Sequence, residues 1–417
     1  MNDPAGSVVV VGGGVIGAAC AHFLRRAGWE VTVLDQGGFG SGCSHANCGL
    51  VCPSHVLPLA VPGAVRAGLK ALFQSNGPLA IRPRFDPALW SWLYHFTRRC
   101  NQHDMLDSGR AIKALLDSSR SLYEQIIAEE HLDCEWETRG LLFVLETQQG
   151  MAHYAETDRL MSDEYSVSAR RLDGDAVVAL EPALKPGLAG GFLYERDAHL
   201  RPDRLLSSWR NALVSHGVTV REDCKVRGIV KERGRGRAVI TEAGEVSADA
   251  FVFATGALTP RWAGQLGCRI PIQPGKGYSI TMPRPARCPS IPLIFDEHRV
   301  AATPMRSGYR LGSTMEFAGY DASLNRHRLE LLKVAARRFL HEPYGDVVEE
   351  EWCGWRPMTY DGKPIIDRSP AMSNVLIAAG HNMLGLSMAP ATGKLVAELL
   401  GGQMPHVDPA PYSVKRF

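Results

Sequence analysis

The 417-residue sequence lacks several features that would place a chain in a specialised class. It has little net charge, +2 at pH 7, which argues against nucleic-acid binding. It has no internal repeat and no low-complexity tract, so neither a solenoid nor a disordered chain is expected. Hydrophobic residues make up 45% and charged residues 22%, as in soluble globular proteins, and the length favours two domains.

Convincing membrane-spanning and secretory segments are also lacking. Residues 4–24 and 373–393 carry no formal charge, but several glycines interrupt both stretches, and His381, Asn382 and Pro390 interrupt the second. The N-terminus has no basic region, since Asp3 is its only early charge, so a signal peptide is not expected. We therefore expect a cytoplasmic protein, with peripheral attachment to the inner face of a membrane left open.

The ten cysteines form no metal-binding pattern. Cys43, Cys48 and Cys52 cluster in the sequence, but no C-x-x-C pair and no matching His/Cys set accompanies them. We predict no metal site, and we interpret the cysteines as thiols in a reducing compartment.

The strongest positive signal lies near the N-terminus. Four consecutive valines at residues 8–11 are followed by Gly12, Gly14 and Gly17 in the pattern G-x-G-x-x-G, then by a helical segment and a second strand that ends at Asp35. This order predicts a Rossmann-type βαβ unit, in which the helix N-terminus faces a pyrophosphate and the acid holds ribose hydroxyls. A dinucleotide is therefore the expected ligand.

Later segments predict further parts of the same α/β domain. A buried strand at residues 250–254 ends in Thr255 and Gly256, where ligands bind in such sheets. A strand from Val375 leads through a glycine-rich loop into a C-terminal helix, so elements from both ends of the chain complete one discontinuous domain. Residues 62–130 are predicted to be largely helical, and the Arg-rich stretch 231–237 is predicted to be a solvated hairpin turn.

Three blocks of sequence carry a resemblance to a known family. They are the glycine fingerprint followed by residues 44–50 (SHANCGL), the strand-like Lys276-Gly-Tyr-Ser279, and residues 354–362 (GWRPMTYDG) together with the loop from Gly380. The chain resembles the glycine oxidase and D-amino acid dehydrogenase family of FAD-dependent amine oxidoreductases over nearly its whole length. The resemblance implies FAD as cofactor, and an inserted α+β substrate domain with an antiparallel sheet beside the flavin ring.

The resemblance and the sequence pattern together give predicted boundaries. The FAD-binding domain is expected at residues 1–60, 200–265 and 350–417, and the substrate or cap domain at 61–199 and 266–349. The FAD is predicted to be non-covalent, because Cys353 does not match a linking cysteine of the family.

Arg356 is the first candidate to bind the substrate carboxylate. The resemblance implies this role, because in the family the arginine of the Gly-x-Arg-Pro motif binds the carboxylate, and a guanidinium pairs bidentately with such a group. The alternative for Arg356 is a buried salt bridge. Tyr278 could face the substrate or pack in the core, and His381 could serve catalysis or be a hydrogen-bonded core residue. Residues 294–302 lack the tyrosine expected there, which leaves the second carboxylate contact open.

The predicted cofactor-binding residues lie in the fingerprint, the loop after it, the two later strand ends and the C-terminal loop. They are Gly12, Gly13, Gly14, Val15, Ile16, Gly17, Asp35, Gln36, Ser41, Gly42, Ser44, His45, Asn47, Gly49, Leu50, Val226, Thr255, Gly256, Gly354, Gly380, His381, Met383, Leu384, Gly385, Leu386 and Ser387. For His45 and Asn47, flavin contact and local loop structure remain equal alternatives.

The predicted function is oxidation of a small D-amino acid to the imino acid, then 2-oxo acid and ammonia, by hydride transfer to flavin N5. The electrons are expected to pass to a quinone or another respiratory carrier. One alternative is a dehydrogenase or oxidase of a cyclic or N-substituted amino acid such as D-proline, cis-4-hydroxy-D-proline, glycine or sarcosine. Another is a non-catalytic FAD-binding subunit. The preferred amino acid, the choice between oxidase and dehydrogenase, the acceptor and the oligomeric state stay open.

Overall fold

A computed structural model of the chain describes residues 5–72, 77 and 79–417. The strands are β1 (Ser7–Val11), β2 (Glu30–Leu34), β3 (Leu50–Val51), β4 (Leu79–Ile81), β5 (Leu141–Leu145), β6 (Arg170–Asp173), β7 (Gly190–Tyr194), β8 (Ala198–His199), β9 (Thr219–Arg221), β10 (Val226–Glu232), β11 (Arg235–Thr241), β12 (Gly244–Ser247), β13 (Ala250–Phe253), β14 (Ile272–Met282), β15 (Leu293–Phe295), β16 (Val300–Met305), β17 (Gly308–Phe317), β18 (Glu350–Thr359), β19 (Ile365–Ser369) and β20 (Met372–Ala379). The helices are α1 (Val15–Arg26), α2 (Ala64–Leu72), α3 (Pro87–Arg99), α4 (Gln102–Glu129), α5 (Gln148–Tyr165), α6 (Gly174–Leu180), α7 (Pro202–Ser215), α8 (Ala263–Leu266), α9 (Arg326–Phe339) and α10 (Gly385–Gly401).

Six strands from distant parts of the chain form the first large sheet, in the order β19-β20-β13-β1-β2-β9. All neighbours pair in parallel except β19, which runs antiparallel to β20. The predicted βαβ unit at the N-terminus and the predicted contributions of residues 250–254 and the C-terminus are therefore confirmed. Their carboxyl ends meet at one edge of the sheet, where ligands of such folds bind.

The valines of β1 explain why this strand lies at the centre of that sheet. Val8 and Val10 pack on one face against α1, α4, α7 and α10, whereas Val9 and Val11 pack on the other face against Phe251 and neighbouring residues. A strand covered on both faces needs apolar side chains at every position, and β-branched residues fit the pleated surface well. The uninterrupted valine run supplies both.

The second large sheet has nine strands. Its order is β18-β14-β17-β16-β15-β5-β7-β6, with β4 paired in parallel to β17. Most neighbouring pairs are antiparallel, and α9 packs on one face through Leu329, Leu332 and Phe339. The predicted antiparallel sheet of the second domain is thus confirmed.

The structure corrects the predicted organisation at two places. Residues Glu350–Thr359 form β18, which pairs along its length with β14 in the nine-stranded sheet, so the segment assigned to the FAD-binding domain from residue 350 starts in the other sheet. Helix α4 was assigned to the substrate domain, yet its buried face joins the core around β1 and α10. Both errors have one cause, since long-range pairing decides where these segments belong and local pattern does not show it.

The smaller expectations have mixed outcomes. Residues 231–237 form the β10–β11 hairpin turn as predicted. Residues 62–130 are mainly helical, although the short strand β4 interrupts the helices, and the part of the prediction on 73–76 and 78 lies outside the described residues. Within the described ranges, no helix is long and apolar enough to cross a membrane.

Candidate active site

The turn between β1 and α1 depends on its glycines for steric reasons. Gly12 has φ of +106°, and a Cβ there would lie 2.5 Å from the carbonyl oxygen of Ala254. A Cβ at Gly17 would overlap the carbonyl oxygen of Gly12. Only glycine allows this close approach of turn, helix and neighbouring strand. Gly17 therefore acts by packing and does not border the cavity, whereas Gly12, Gly14, Val15 and Ile16 do.

The first turn of α1 is suited to an anion. Gly14 occupies the N-cap without a side-chain hydrogen bond, and the first turn contains no acidic residue. The positive end of the helix dipole and the N–H groups of this turn other than that of Val15, which donates to Ser44 Oγ, therefore remain available to a phosphate. The N-terminus of α10 shares this composition, since no acid lies in its first turn and Leu384 caps it without a side-chain hydrogen bond.

Asp35 ends β2 beside this turn. Its carboxylate accepts hydrogen bonds from the backbone N–H of Gly13 (2.6 Å) and of Gly37 (2.9 Å). Burial raises the pKa of Asp35, while these two hydrogen bonds oppose that shift. Glu222 and Asp223 add negative charge nearby. This environment suits ribose hydroxyls and disfavours a 2′-phosphate.

The loop after Asp35 is held largely by its own side chains. Ser44 Oγ accepts from the N–H of Val15 (3.0 Å), and Asn47 accepts from the N–H of Gly49 (2.8 Å) and donates to the carbonyl of Ser44 (2.8 Å). For Asn47 the structure thus shows the local loop alternative, although the residue also borders the cavity.

His45 does not border the cavity, so of its two predicted alternatives the structure does not support flavin contact. Its Nε2 lies 2.8 Å from a carboxylate oxygen of Glu350, at the start of β18. The side chain therefore joins the loop to the edge of the nine-stranded sheet. Gly13, Gly49 and Gly380 also lie behind the cavity wall, where they shape the backbone.

Arg356 lies on the cavity face of β18, opposite Gly275 of β14. Its guanidinium crosses over Gly277, where a Cβ would overlap it, so the glycine in Lys276-Gly-Tyr provides space for this side chain. Its Nη1 donates to the carbonyl of Thr314 (2.7 Å). Among the residues that the structure describes, no carboxylate lies within ion-pair distance of Arg356, so the alternative of a buried salt bridge is not seen.

The carbonyl that Arg356 contacts belongs to an unusual backbone segment. Ser313 has φ of +118° and Thr314 has φ of +55°, in the middle of β17. Non-glycine residues rarely adopt such angles, and a β-branched residue does so least readily. The register of β14 against β17 shifts at the same place, between Lys276 and Tyr278. We interpret the irregularity as the means by which the Thr314 carbonyl is turned toward the guanidinium.

Tyr278 is among the residues that border the cavity, but its hydroxyl is directed away from Arg356, which corrects the second catalytic candidate. Side chains alternate along β14, so Gly275 and Gly277 face Arg356 and Tyr278 points to the opposite face of the sheet. There its hydroxyl donates to Glu316, and its ring packs with α9 in the core. Burial and the Glu316 carboxylate raise its pKa, so it is also a poor acid.

His381 borders the cavity, but its ring is a core group. The side chain is buried, its Nε2 lies 3.0 Å from the hydroxyl of Thr392, and burial lowers its pKa to about 3. A ring that stays neutral and hydrogen-bonded within the core cannot serve as a general acid. The hydrogen-bonded core alternative is therefore the one that the structure shows.

Asn382 is a residue that holds the backbone of the site together, and sequence reasoning missed it. Its φ is +52°, its Oδ1 accepts from the N–H of Thr359 (2.9 Å), and its Nδ2 donates to the carbonyls of Gly362 and Gly380. Its own N–H donates to the carbonyl of Pro357 (3.1 Å). Asn382 therefore ties the loop before α10 to the residues that follow Arg356. The signal was the polar residue inside an otherwise apolar stretch.

One large cavity of about 1570 Å³ joins these parts. Its wall includes the β1–α1 turn, Asp35 and Gln36, then Ser41, Gly42, Ser44 and Leu50, Val226, Thr255 and Gly256, Gly354 and Arg356, and Met383, Leu384, Gly385, Leu386 and Ser387. Typical small-molecule pockets measure roughly 300–1,000 Å³. The cavity therefore has room for an extended dinucleotide and a substrate, and the two acid-free helix N-termini and Asp35 fit the phosphates and a ribose of FAD.

A second polar cluster borders the same cavity. Asp197 accepts from Ser54 and lies with Cys52 and His55, whose potential ligand atoms fall within 4.8 Å of one another. Because hydrogen bonds from Ser54 already occupy the carboxylate, we interpret the cluster as a support for the loop. Burial raises the pKa of Asp197 to about 7.

The comparisons agree with this geometry. A family model described as FAD dependent oxidoreductase matches residues 7–399. The D-amino acid dehydrogenase of Methylobacterium nodulans is 35% identical over 423 residues, covering 98% of this chain and 99% of that one, and the enzyme of the same name from Xanthobacter autotrophicus is 33% identical with the same coverage. Among solved structures, glycine oxidase from Geobacillus kaustophilus superposes with a TM-score of 0.79 at 22% identity, covering 99% of each chain. L-proline dehydrogenase from P. horikoshii has a TM-score of 0.73 at 20% identity, covering 100% of this chain and 98% of that one.

Proposed function

The chain belongs to the FAD-dependent oxidoreductase family, and we propose that it oxidises a D-amino acid at the α-carbon with the substrate carboxylate on Arg356. That it is an enzyme with FAD as cofactor follows from the family, whereas the substrate class is the proposal. The relatives of 30–35% identity that carry the name D-amino acid dehydrogenase support it.

The observation that carries the proposal is the state of Arg356. Its guanidinium borders the cavity, donates to the Thr314 carbonyl and has no carboxylate partner among the described side chains. A partly buried guanidinium without a counter-charge is costly unless a ligand provides one. A substrate carboxylate supplies that charge and can accept two parallel hydrogen bonds.

The residues around Arg356 position the substrate rather than transfer its protons. Bound FAD supplies the two-electron acceptor for the α-C–H bond. The N-terminus of α10, between Gly385 and Ser387, directs backbone N–H groups toward the same cavity and can stabilise negative charge there. Tyr278 and His381 are both engaged elsewhere, so the amine is expected to react after it has lost its proton to water.

We also propose the finer points of electron transfer and location. The electrons leave to a quinone or another respiratory carrier, and the protein works in the cytoplasm at the inner face of the membrane. Helix α2 contributes the apolar residues Val65, Gly68 and Leu72 to the cavity wall, and this apolar wall supports an approach of a lipid-soluble acceptor. FAD is proposed to be non-covalent.

The experiment is an anaerobic flavin-bleaching panel on the purified protein, with D- and L-amino acids, glycine, sarcosine and D-proline analogues. Bleaching by D-enantiomers, lost in the Arg356→Ala variant, supports the proposal. Bleaching by glycine, sarcosine or cyclic amines alone would assign the chain to the alternative substrate class. Bleaching by none of them, with FAD bound, would refute a role in amino-acid oxidation.

A further inference from the structure

The cavity continues along one face of the nine-stranded sheet, well beyond Arg356. On the successive strands β14, β17, β16, β15 and β5, five residues pair directly with one another, namely Ser279, Gly312, Ala301, Ile294 and Phe143. Residues that pair in this way share one face of the sheet. Because side chains alternate along a strand, Gly277 lies on this face as well, against the Arg356 guanidinium. The face that carries the guanidinium therefore extends to β5.

A second group of polar and aromatic side chains borders the cavity at the β5 end of this face. We call it the distal lobe, and its residues are His55, Phe143, Tyr154, Tyr194, Asp296 and Arg299. Asp296 directly follows β15, and Tyr154 comes from α5, which covers this end of the sheet. Strand β15 is three strands from β14, and neighbouring strands lie about 4.8 Å apart, so the distal lobe begins roughly 14 Å from Gly277.

The polar groups of the distal lobe have few partners within the protein. Asp296 is 8% exposed, and among the described residues its carboxylate has one partner, Arg299, whose Nη1 donates to it (2.9 Å). The Arg299 side chain is itself 63% exposed, and such ion pairs contribute little. The hydroxyl of Tyr154 donates to that of Tyr194 (3.3 Å), whose own hydrogen has no acceptor among the residues described. Because buried polar groups are normally hydrogen-bonded, the lobe has capacity for a ligand.

The charges and rings of the distal lobe favour a positively charged ligand. Burial raises the pKa of Asp296, because its negative charge is poorly solvated there, and Glu297 adds a second negative charge nearby. Burial lowers the pKa of His55 to about 4, so this ring is neutral at pH 7 and does not repel a cation. The rings of Phe143 and Tyr154 lie 5.0 Å apart, and aromatic faces attract cations. An anion would meet both carboxylates.

We propose that the distal lobe binds the cationic end of the substrate side chain, so that the preferred substrates are basic D-amino acids such as D-lysine and D-arginine. The inference rests on the proposed function, in which Arg356 binds the carboxylate. An ammonium group donates three hydrogen bonds, and the Asp296 carboxylate and the Tyr194 hydroxyl can accept them. An extended lysine measures about 7–8 Å from carboxylate carbon to ammonium, and a polar contact of about 3–4 Å at each end completes the distance to Gly277.

The test compares the binding of two carboxylates to the FAD-loaded protein, measured by the change in flavin absorbance. The probes are 6-aminohexanoate and hexanoate, which correspond to lysine and norleucine without the α-amine, so binding is measured without oxidation. The variants are Asp296→Asn, which removes the negative charge, and Arg299→Gln, which removes the competing cation at an exposed position. The matched control is Asp158→Asn, the same change on α5 at a residue that does not border the cavity.

The wild type is expected to bind 6-aminohexanoate about 10- to 100-fold more tightly than hexanoate, as for one charge-assisted hydrogen bond. This ratio should fall close to one in Asp296→Asn, rise in Arg299→Gln and stay unchanged in Asp158→Asn. Equal binding of the two probes, binding of neither, or a ratio that neither lobe variant alters would overturn the inference.

Flavin bleaching by D-lysine and D-norleucine is scored separately, so the two proposals can fail independently. Bleaching by both amino acids, with equal binding of the two probes, would overturn the inference and leave the proposed function standing. A preference for 6-aminohexanoate that depends on Asp296, without bleaching by any D-amino acid, would refute the proposed function alone.

Discussion

The position of the Arg356 guanidinium can be tested by a substitution of Arg356 and by a substitution of Gly277, which contacts it. Arg356→Ala removes the guanidinium, and Gly277→Ala adds a Cβ that would overlap it. The overlap falls on the far end of a flexible side chain, so the Gly277→Ala protein is expected to fold with the guanidinium displaced. Gly264→Ala is the matched control, because a Cβ at Gly264 has no neighbour within 4 Å.

The expected magnitudes differ between the two variants. Loss of a bidentate, charge-assisted contact in Arg356→Ala weakens carboxylate binding by about 2–4 kcal/mol, which is about 30- to 700-fold. Gly277→Ala keeps the charge but loses the alignment with Thr314, so about 10- to 100-fold is expected from one charge-assisted hydrogen bond of about 1.5–3 kcal/mol.

The assay is anaerobic flavin reduction by stopped flow over a range of D-amino acid concentrations. The effect should appear mainly as a raised apparent dissociation constant, with FAD retained in all variants. If Gly277→Ala and Gly264→Ala bound substrate equally well, the guanidinium would not hold the carboxylate from its present position. An unchanged apparent dissociation constant in Arg356→Ala would show that Arg356 does not bind the substrate.

Three further outcomes are expected. Gly17→Ala should lose FAD on gel filtration, because a Cβ there overlaps the carbonyl of Gly12; a yellow, folded variant would contradict the close packing of the turn. Burial raises the pKa of Asp197 to about 7, whereas in the unfolded chain this carboxyl ionises near pH 4. The contribution of the protonated carboxyl to the free energy of unfolding is therefore complete below about pH 4 and is lost as the pH rises through 7. Between pH 5 and pH 8 this loss spans about two pH units, or about 2.7 kcal/mol, so Asp197→Asn should remove a decrease of that size from the free energy of unfolding measured with denaturant at the two pH values. Parallel pH profiles of the two proteins would oppose this. Acid precipitation should release the flavin into the supernatant, whereas a yellow pellet would show a covalent link.

The N-terminal half of the site could be predicted because its requirements are local. The spacing of Gly12, Gly14 and Gly17 and the acid at Asp35 follow from one turn and two neighbouring strands. Arg356 was found by resemblance, and its place on the cavity wall agrees with that assignment. The sequence did not reveal why position 277 is a glycine, because the reason is the contact of that face of β14 with the Arg356 guanidinium.

The expectations that differ from the structure depend on contacts that local pattern does not show. Tyr278 packs against α9, far away in the sequence, whereas His381 lies 11 residues from Thr392 and the turn into α10 brings the two side chains together. For His45 the sequence leaves flavin contact and loop structure as equal alternatives, because its partner Glu350 is 305 residues away.

The strand β18 has a consequence for recombination between relatives. Arg356 lies on β18, an edge strand of the nine-stranded sheet. Asn382 joins the residues just after Arg356 to the loop before α10 by hydrogen bonds. A chimera joined at residue 350 would separate β18 from its partner β14 and place the guanidinium of one parent against the glycine of another. Exchange of residues 272–382 as a single block keeps β14, Gly277, Arg356 and Asn382 from one parent, so crossovers should be tolerated after Asn382 and selected against within β18.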